Sequence, residues 1–188
     1  MIAAIYARKS TKQDVADQQT RRTRTAYHEA GHAVAHIVLG LWPISATIVT
    51  ESDSLGHVMS PNPIFGYEGT VARDRAARAR DQIVTDYAGL AAEHVFCAVP
   101  FSFEEGAKHG AWGDHRRAWE LLLRHVPVRR ANFVGDEAYD AALIRLQRRA
   151  LKLVRAHRSA IERVTQLLLK RKTLTGEEIQ ATISTKEG

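Results

Sequence analysis

Residues 25–40 of the 188-residue chain read TAYHEAGHAVAHIVLG. Apolar side chains recur in this stretch at three- and four-residue spacing, which predicts an amphipathic α-helix with one buried face. Thr25 is expected to cap the amino end of this helix, and Gly40 and Pro43 are expected to end it. The apolar positions are Ala26, Ala30, Ala33, Val34, Ile37 and Val38.

The same predicted helix carries HEAGH at residues 28–32, a motif of the form HExxH. Four residues along a helix advance about 6 Å and rotate about 40°, so His28 and His32 project from one face and can bind one Zn²⁺. Glu29 lies beside that line, where it can take a proton from a metal-activated water as a general base. This arrangement is typical of metalloproteases, in which the water attacks a peptide carbonyl.

A zinc site of this kind needs a third protein ligand, and the spacing leaves its identity open. On an unbroken helix His36 lies about 12 Å from His28, too far to share one ion. The longer motif HExxHxxGxxH, which would supply a third histidine, is absent. Glu93, on a second predicted helix, and Asp114, at the predicted start of a third, both remain candidates.

The rest of the chain predicts a mainly α fold of the α+β class. Residues 44–60 contain two short β-prone runs around a polar turn, which predict a small hairpin. Alanine-rich residues 73–98 predict a long helix. Further helices are expected from Asp114, as N-cap, to about residue 125, and over residues 136–157 and 159–170.

Composition limits the partners and the compartment. The net charge is +6, from 27 Lys and Arg against 21 Asp and Glu, and most basic side chains follow helical spacing opposite apolar ones. No nucleic-acid recognition motif accompanies them, so no specific nucleic-acid partner is expected. A single cysteine, Cys97, excludes an intrachain disulfide. Neither a signal peptide nor a membrane segment is predicted, so we expect a cytoplasmic protein.

Residues 1–22 differ in composition from the rest of the chain, because they are largely polar. Within them IYARKST, at residues 5–11, resembles the extreme N-terminus of serine recombinases. Ser10 stands in the place of the catalytic serine, with Arg8 beside it. The resemblance ends there, since nothing downstream supplies the other arginines that a recombinase needs. We therefore expect an N-terminal appendage over residues 1–22, not an independent domain, followed by one domain over residues 23–188.

Residues 23–183 resemble the peptidase domain of the FtsH group of AAA-type zinc proteases. The matching segments are TAYHEAGHAVAHIVLG, SLGHVMS, DYAGLAAEHVF, GAWGDHRRAWELL and LLLKRKTLTGEEI, in that order. In that family two motif histidines and the aspartate of a GAxxD segment hold the zinc. The resemblance implies His28, His32 and Asp114 as ligands of one Zn²⁺ per chain, with Glu29 as base. It also implies that Glu93 accepts an N–H from a ligating imidazole. The resemblance further implies a helical zinc-peptidase domain in which the small hairpin edges the active-site cleft.

By this resemblance the chain is expected to be a zinc-dependent metalloendopeptidase that acts on polypeptide substrates. Members of the group also carry a membrane segment and an ATPase module, and they form hexamers. The chain contains no GxxxxGK[ST] phosphate loop, so we expect it to lack its own ATPase. A homo-oligomer, hexameric by resemblance, or a separate ATPase is the implied partner. The alternatives are a non-catalytic interaction module with the same fold and a DNA-associated fragment of a recombinase locus.

The second arm of the predicted hairpin is a candidate for substrate binding. It comprises Leu55, Gly56, His57 and Val58. An exposed strand edge can bind an extended peptide through backbone hydrogen bonds, with the peptide added as a further strand. An ordinary hairpin without that role is the alternative interpretation of the same residues.

Overall fold

The computed structural model describes residues 12–49, 56–60, 72–102, 111–128 and 137–184. Within these residues the chain forms helices and one small antiparallel sheet, which confirms the expected mainly helical α+β fold class. None of the described helices combines the length and the apolar character needed to cross a membrane. The elements are α1 (Lys12–Val38), β1 (Ser45–Thr47), β2 (His57–Met59), α2 (Ala72–Cys97), α3 (Trp112–His125), α4 (Glu137–Ala156), α5 (Arg158–Arg171), β3 (Thr173–Thr175) and α6 (Gly176–Ser184).

Helix α1 begins earlier than the sequence predicts. Thr25 lies inside the helix, where its Oγ1 donates a hydrogen bond to the carbonyl of Arg21 at 3.1 Å, so its expected role as N-cap is wrong. The residues before it are mostly good helix formers, and they continue the helix although none of those whose burial is described is buried. Helix α1 passes through residue 22 without a break. The division of the chain into an appendage and a domain at that residue stays a prediction. Arg8 and Ser10 lie outside the described residues.

The carboxyl end of α1 follows the prediction. Gly40 has a φ of +70°, a left-handed conformation that glycine adopts without strain. Its N–H donates to the carbonyl of Ile37 at 3.1 Å, and the N–H of Leu41 donates to that of His36 at 2.8 Å. This pair of hydrogen bonds is a Schellman motif, which ends the helix and turns the chain toward β1.

The sheet has the strand order β2-β1-β3, with both pairs antiparallel. Ala46 of β1 lies opposite Val58 on one side and Leu174 on the other. The predicted hairpin is therefore present as β1 and β2. Strand β3 was not predicted, because three residues between two helices are too few to show alternation.

Helix α2 lies at the centre of the molecule. One buried cluster contains residues of α1, α5, α6 and the sheet, and a second contains residues of α3 and most of the buried residues of α4. Helix α2 contributes to both, and Val154 of α4 lies in the first. The approach of α1 to α2 is close at Gly31, where a Cβ would lie 2.5 Å from the carbonyl oxygen of Ala88 and 2.8 Å from the Cβ of Ala92. Small residues at this crossing bring the HEAGH motif directly against α2.

Helix α3 also begins earlier than predicted. It starts at Trp112, with Ala111 at the N-cap position, so the prediction that Asp114 caps this helix is wrong. Asp114 lies in the first turn instead, where a negative charge is favourable beside the helix dipole. Its carboxylate is therefore not used in capping and is directed toward α1.

Candidate metal centre

The two motif histidines meet on the face of α1 that lies against α2. The Nε2 atoms of His28 and His32 are 2.9 Å apart, and the rings meet edge to face with centroids 4.6 Å apart. His32 is buried and His28 is nearly so. The spacing of four residues thus produces the juxtaposition that the helical repeat predicts.

Helix α3 adds a carboxylate to this pair. Asp114 Oδ2 lies 3.1 Å from His28 Nε2 and 3.2 Å from His32 Nε2. One ligand atom from each of the three residues lies within 4.8 Å of the others, so the group can hold a metal ion. Burial alone would raise the pKa of Asp114, but the two imidazoles outweigh it and hold that pKa well below its ordinary value.

Hydrogen bonds to the opposite ring nitrogens orient both imidazoles. His32 Nδ1 lies 2.8 Å from the carbonyl oxygen of Thr85, which can only accept, so Nδ1 must carry the proton. His28 Nδ1 lies 2.6 Å from Glu93 Oε1 and donates to that carboxylate. Arg24 lies on the far side of Glu93, with Nε 3.1 Å from Oε2. Both Nε2 atoms are thereby left with their lone pairs toward Asp114.

The donor set fits a zinc ion. Two imidazole lone pairs only 2.9 Å apart repel each other unless a proton or a cation lies between them. Bonds of about 2.0 to 2.1 Å at tetrahedral angles would separate ligand atoms by roughly 3.3 Å, close to the distances seen here. Gly89 of α2 makes room for the rings, since a Cβ there would lie 2.5 Å from His32 Nε2 and 2.7 Å from His28 Nε2.

Glu29, the predicted base, is buried on the neighbouring side of α1. Burial raises the pKa of its carboxyl, and the charges of His28 and His32 act in the opposite direction. Gly56 packs closely against it, because a Cβ on that glycine would lie 2.9 Å from Glu29 Oε1 and 2.7 Å from the carbonyl oxygen of Thr47. The start of β2 and the carboxylate of Glu29 are thus adjacent.

The predicted substrate arm is only partly described. Leu55 lies outside the described residues, whereas His57 and Val58 belong to β2. This strand pairs with β1 on one side and, within the part of the chain that the structure describes, with no strand on the other. Its position beside Glu29 is consistent with a substrate edge, and that role remains a prediction.

His36 is directed away from the other two histidines of α1. Its Nδ1 donates to the carbonyl of His32 at 2.9 Å, and its Nε2 lies 3.0 Å from Ser60 Oγ. Burial lowers its pKa to about 4, so the ring is neutral and accepts from the serine hydroxyl. His36 therefore joins α1 to the end of β2, as its distance from His28 along the helix leads one to expect.

Two residues near the site were not predicted from the sequence. Arg117 Nη2 donates to Asp114 Oδ1 at 2.6 Å, and its Nε donates to Asp86 Oδ1 at 2.9 Å. The spacing of three between Asp114 and Arg117 would have been a usable signal, since such residues are neighbours on a helix. Nothing in the sequence marks Asp86, because its role depends on how α2 and α3 pack.

Comparison with known proteins finds relatives in sequence. No protein-family model matches the chain. It is 30% identical over 183 residues to ATP-dependent zinc metalloprotease FtsH 1 of Symbiobacterium thermophilum, covering 89% of this chain and 30% of that protein. It is 31% identical over 195 residues to ATP-dependent zinc metalloprotease FtsH of Thermus thermophilus, covering 86% of this chain and 29% of that protein.

A third relative, the FtsH of Slackia heliotrinireducens, is 26% identical over 202 residues and covers 92% of the chain. The chain thus spans between 25% and 30% of the length of the curated relatives it matches. These matches do not support the resemblance of residues 1–20 to serine recombinases. Over most of its length the chain is related in sequence to one part of proteins that are named as zinc metalloproteases.

Proposed function

We propose that this chain is a zinc-dependent metalloendopeptidase that hydrolyses peptide bonds in polypeptides. His28, His32 and Asp114 hold one Zn²⁺, and Glu29 is the general base. The observation that carries the proposal is the convergence of the two Nε2 lone pairs on Asp114 Oδ2, at 3.1 and 3.2 Å. The similarity to named zinc metalloproteases supports the same ion.

The residues around the three ligands have distinct roles in this proposal. Glu93 and the carbonyl of Thr85 hold the imidazoles with Nδ1 protonated, which keeps both Nε2 atoms available as ligands. When bound, Zn²⁺ supplies a Lewis acid that lowers the pKa of water and stabilises negative charge on a peptide carbonyl. Glu29 accepts the proton of the attacking water and delivers it to the leaving amine. The raised pKa of its buried carboxyl suits a base that must also release its proton.

Substrate is proposed to bind as an extended strand along β2. The side of β2 that faces away from β1 offers backbone groups to such a strand, and Gly56 at its start is packed against Glu29. This arrangement would bring a peptide bond to the base without requiring a particular side chain. His57 and Val58 supply the edge, and Leu55 and Gly56 extend it by prediction.

The curated relatives are named as ATP-dependent, and this chain matches less than a third of each. For this chain we propose as partners either further copies of itself, as in a hexamer, or a separate ATPase. Unfolded polypeptides need no motor to reach the site, so they are the substrates with which the chain can be tested by itself.

The test uses the purified full chain, stripped of metal and reloaded with Zn²⁺, and β-casein as a substrate without stable structure. We expect casein fragments to accumulate with the zinc-loaded chain. Cleavage should stop with 1,10-phenanthroline and return when excess Zn²⁺ is added. His28→Ala is the matched control, since it lacks one proposed ligand and is expressed and purified in the same way as the wild type.

Intact casein after prolonged incubation with a chain that holds one zinc would contradict the proposed peptidase activity. It would favour the alternative, a non-catalytic interaction module. Cleavage that persists unchanged in His28→Ala would point to a contaminating protease. Either result would be evident from the same gel.

A further inference from the structure

The two oxygens of Asp114 have different partners. Oδ2 faces the imidazoles of His28 and His32, whereas Oδ1 accepts a hydrogen bond from Arg117 Nη2 at 2.6 Å. One oxygen is therefore directed at the metal position, and the other is occupied by a guanidinium. This division favours ligation through a single oxygen.

Arg117 is itself anchored to the interior. Its Nε donates at 2.9 Å to Oδ1 of Asp86 on α2, whose side chain is only 1% exposed. The same oxygen accepts a hydrogen bond from Gln82 Nε2 at 3.0 Å. An exposed pair three residues apart on a helix orders little by itself. The buried carboxylate of Asp86 adds a second attachment, because it holds the Arg117 guanidinium at Nε while Asp114 holds it at Nη2.

Asp86 in turn depends on Arg117. Burial raises the pKa of Asp86 to about 6, and the charge of Arg117 acts in the opposite direction. Its other oxygen, Oδ2, is buried and lacks a hydrogen-bond partner among the described residues. A buried carboxylate that loses its counter-ion is costly, so Asp86 holds the arginine in its bridging position.

Through this bridge, residues of α2 orient the side chains of all three proposed ligands. Thr85 orients His32, Glu93 orients His28, and Asp86, through Arg117, orients Asp114. The third of these links is the one that ties α3 to the rest of the site.

We propose that Arg117 is a positioning residue that, anchored by Asp86, holds Asp114 with only Oδ2 toward the two imidazoles and so sets the affinity and geometry of the metal centre. The inference rests on the metal site of the proposed function and goes beyond it by assigning two residues that touch neither metal nor substrate.

The test compares Arg117→Met with Arg116→Met, which removes the same charge from the adjacent, exposed position of α3. Zinc affinity is measured by competition with a chromophoric chelator, and the visible absorption of the Co²⁺-loaded chain reports ligand geometry. We expect Arg117→Met to lower zinc affinity roughly 10- to 100-fold and to change the Co²⁺ spectrum, the scale seen when outer partners of metal ligands are removed. Arg116→Met should leave both unchanged.

Arg117→Lys separates geometry from charge, and it replaces Arg117→Met if that variant fails to fold. A lysine keeps the positive charge beside Asp86 but lacks the planar fork that reaches two carboxylates, so we expect it to lose zinc affinity as well. Asp86→Asn should also weaken zinc binding. Combined with Arg117→Met it should add little, because both changes break one bridge.

The inference is overturned if both Arg117 variants bind zinc like the wild type with an unaltered Co²⁺ spectrum. It is also overturned if they only lower the melting temperature of the metal-free chain, since that would make Arg117 merely structural. A wild-type chain that binds no zinc would contradict the metal site itself and the inference with it. Zinc binding by the wild type together with unaffected variants overturns the inference alone.

Discussion

Gly89 shows how one residue makes room for the candidate metal centre. It lies on α2 beneath both imidazoles, and a Cβ there would lie 2.5 Å from His32 Nε2 and 2.7 Å from His28 Cε1. Real Cβ atoms do not approach so closely, so one ring or both must move. The absence of a side chain at this position is therefore part of the site, although no rule on metal-binding motifs would point to it.

Gly89→Ala should consequently weaken zinc binding while the chain still folds. Alanine is favoured over glycine within a helix by about 1 kcal/mol, so α2 itself is not expected to suffer. Displacing one ring or both should lower zinc affinity by at least about tenfold, as for loss of an outer partner of a ligand. Competition with a chromophoric chelator measures the zinc affinity of the variant.

Gly113→Ala is the matched control for that experiment. It makes the same substitution next to a ligand, on α3, where a Cβ would find no atom within 4 Å. Its zinc affinity should equal that of the wild type. Equal zinc binding by Gly89→Ala and the wild type would show that the rings have room to spare.

At the scale of elements, the crossing of α1 and α2 depends on Gly31. A Cβ at this position would meet the backbone carbonyl of Ala88 and the Cβ of Ala92 at 2.5 and 2.8 Å. Neither is the end of a flexible side chain, so the two helices must separate to admit it. Since α1 carries two proposed ligands and α2 carries their hydrogen-bond partners, separation of the helices would affect the fold and the candidate site together.

We expect Gly31→Ala to lower the free energy of unfolding of the metal-free chain by about 1 to 3 kcal/mol, the usual cost of overpacking. The intrinsic gain of alanine in a helix offsets only part of this. Urea unfolding followed by circular dichroism measures the difference, and Gly113→Ala again serves as control. A Gly31→Ala chain as stable as the wild type would mean that the helices adjust freely.

Elements with a strong periodic signal could be predicted from the sequence, and those defined by contacts could not. Helix α2 at Ala72–Cys97 and helix α4 at Glu137–Ala156 lie within a residue or so of the ranges expected. The start of α1 and strand β3 were missed. A polar helical extension has no apolar face to reveal it, and a strand of three residues exists only because β1 is there to pair with it.

The residues of the candidate site divide in the same way, into those that a sequence pattern brings together and those that only helix packing brings together. HEAGH on a helix brings His28 and His32 together through the helical repeat alone, so their pairing could be predicted from the sequence. Asp114 was left open by spacing and was assigned by resemblance, because its distance from α1 depends on the packing of α3. The bridge from Asp86 to Arg117 lies beyond both approaches, since it joins two helices at a point that no motif marks.

At the scale of the whole molecule, a bound zinc would join helices far apart in the sequence. His28 and His32 come from α1 and Asp114 comes from α3. These two helices both pack on α2, and one potential ligand atom from each residue lies within 4.8 Å of the others. Unfolding would separate these proposed ligands, so we expect zinc to bind the folded chain in preference to the unfolded one. The net charge of +6, by contrast, has no role assigned by the structure.

Zinc should therefore raise the thermal stability of the chain. At a free zinc concentration of about a thousand times the dissociation constant, the expected gain is about 4 kcal/mol, or a melting temperature higher by roughly 10 °C. Differential scanning fluorimetry with and without Zn²⁺ measures the shift. His32→Ala should abolish it, and an equal shift in that variant would place the stabilising zinc elsewhere.

The claim that this chain hydrolyses peptide bonds with Glu29 as base is tested most directly by Glu29→Gln. Both the variant and the wild type are loaded with one zinc, confirmed by metal analysis, and assayed on β-casein in parallel. We expect equal zinc content and a rate of cleavage lower by about 10²- to 10⁴-fold in the variant, the usual contribution of a general base. Cleavage at the wild-type rate by zinc-loaded Glu29→Gln would contradict the claim.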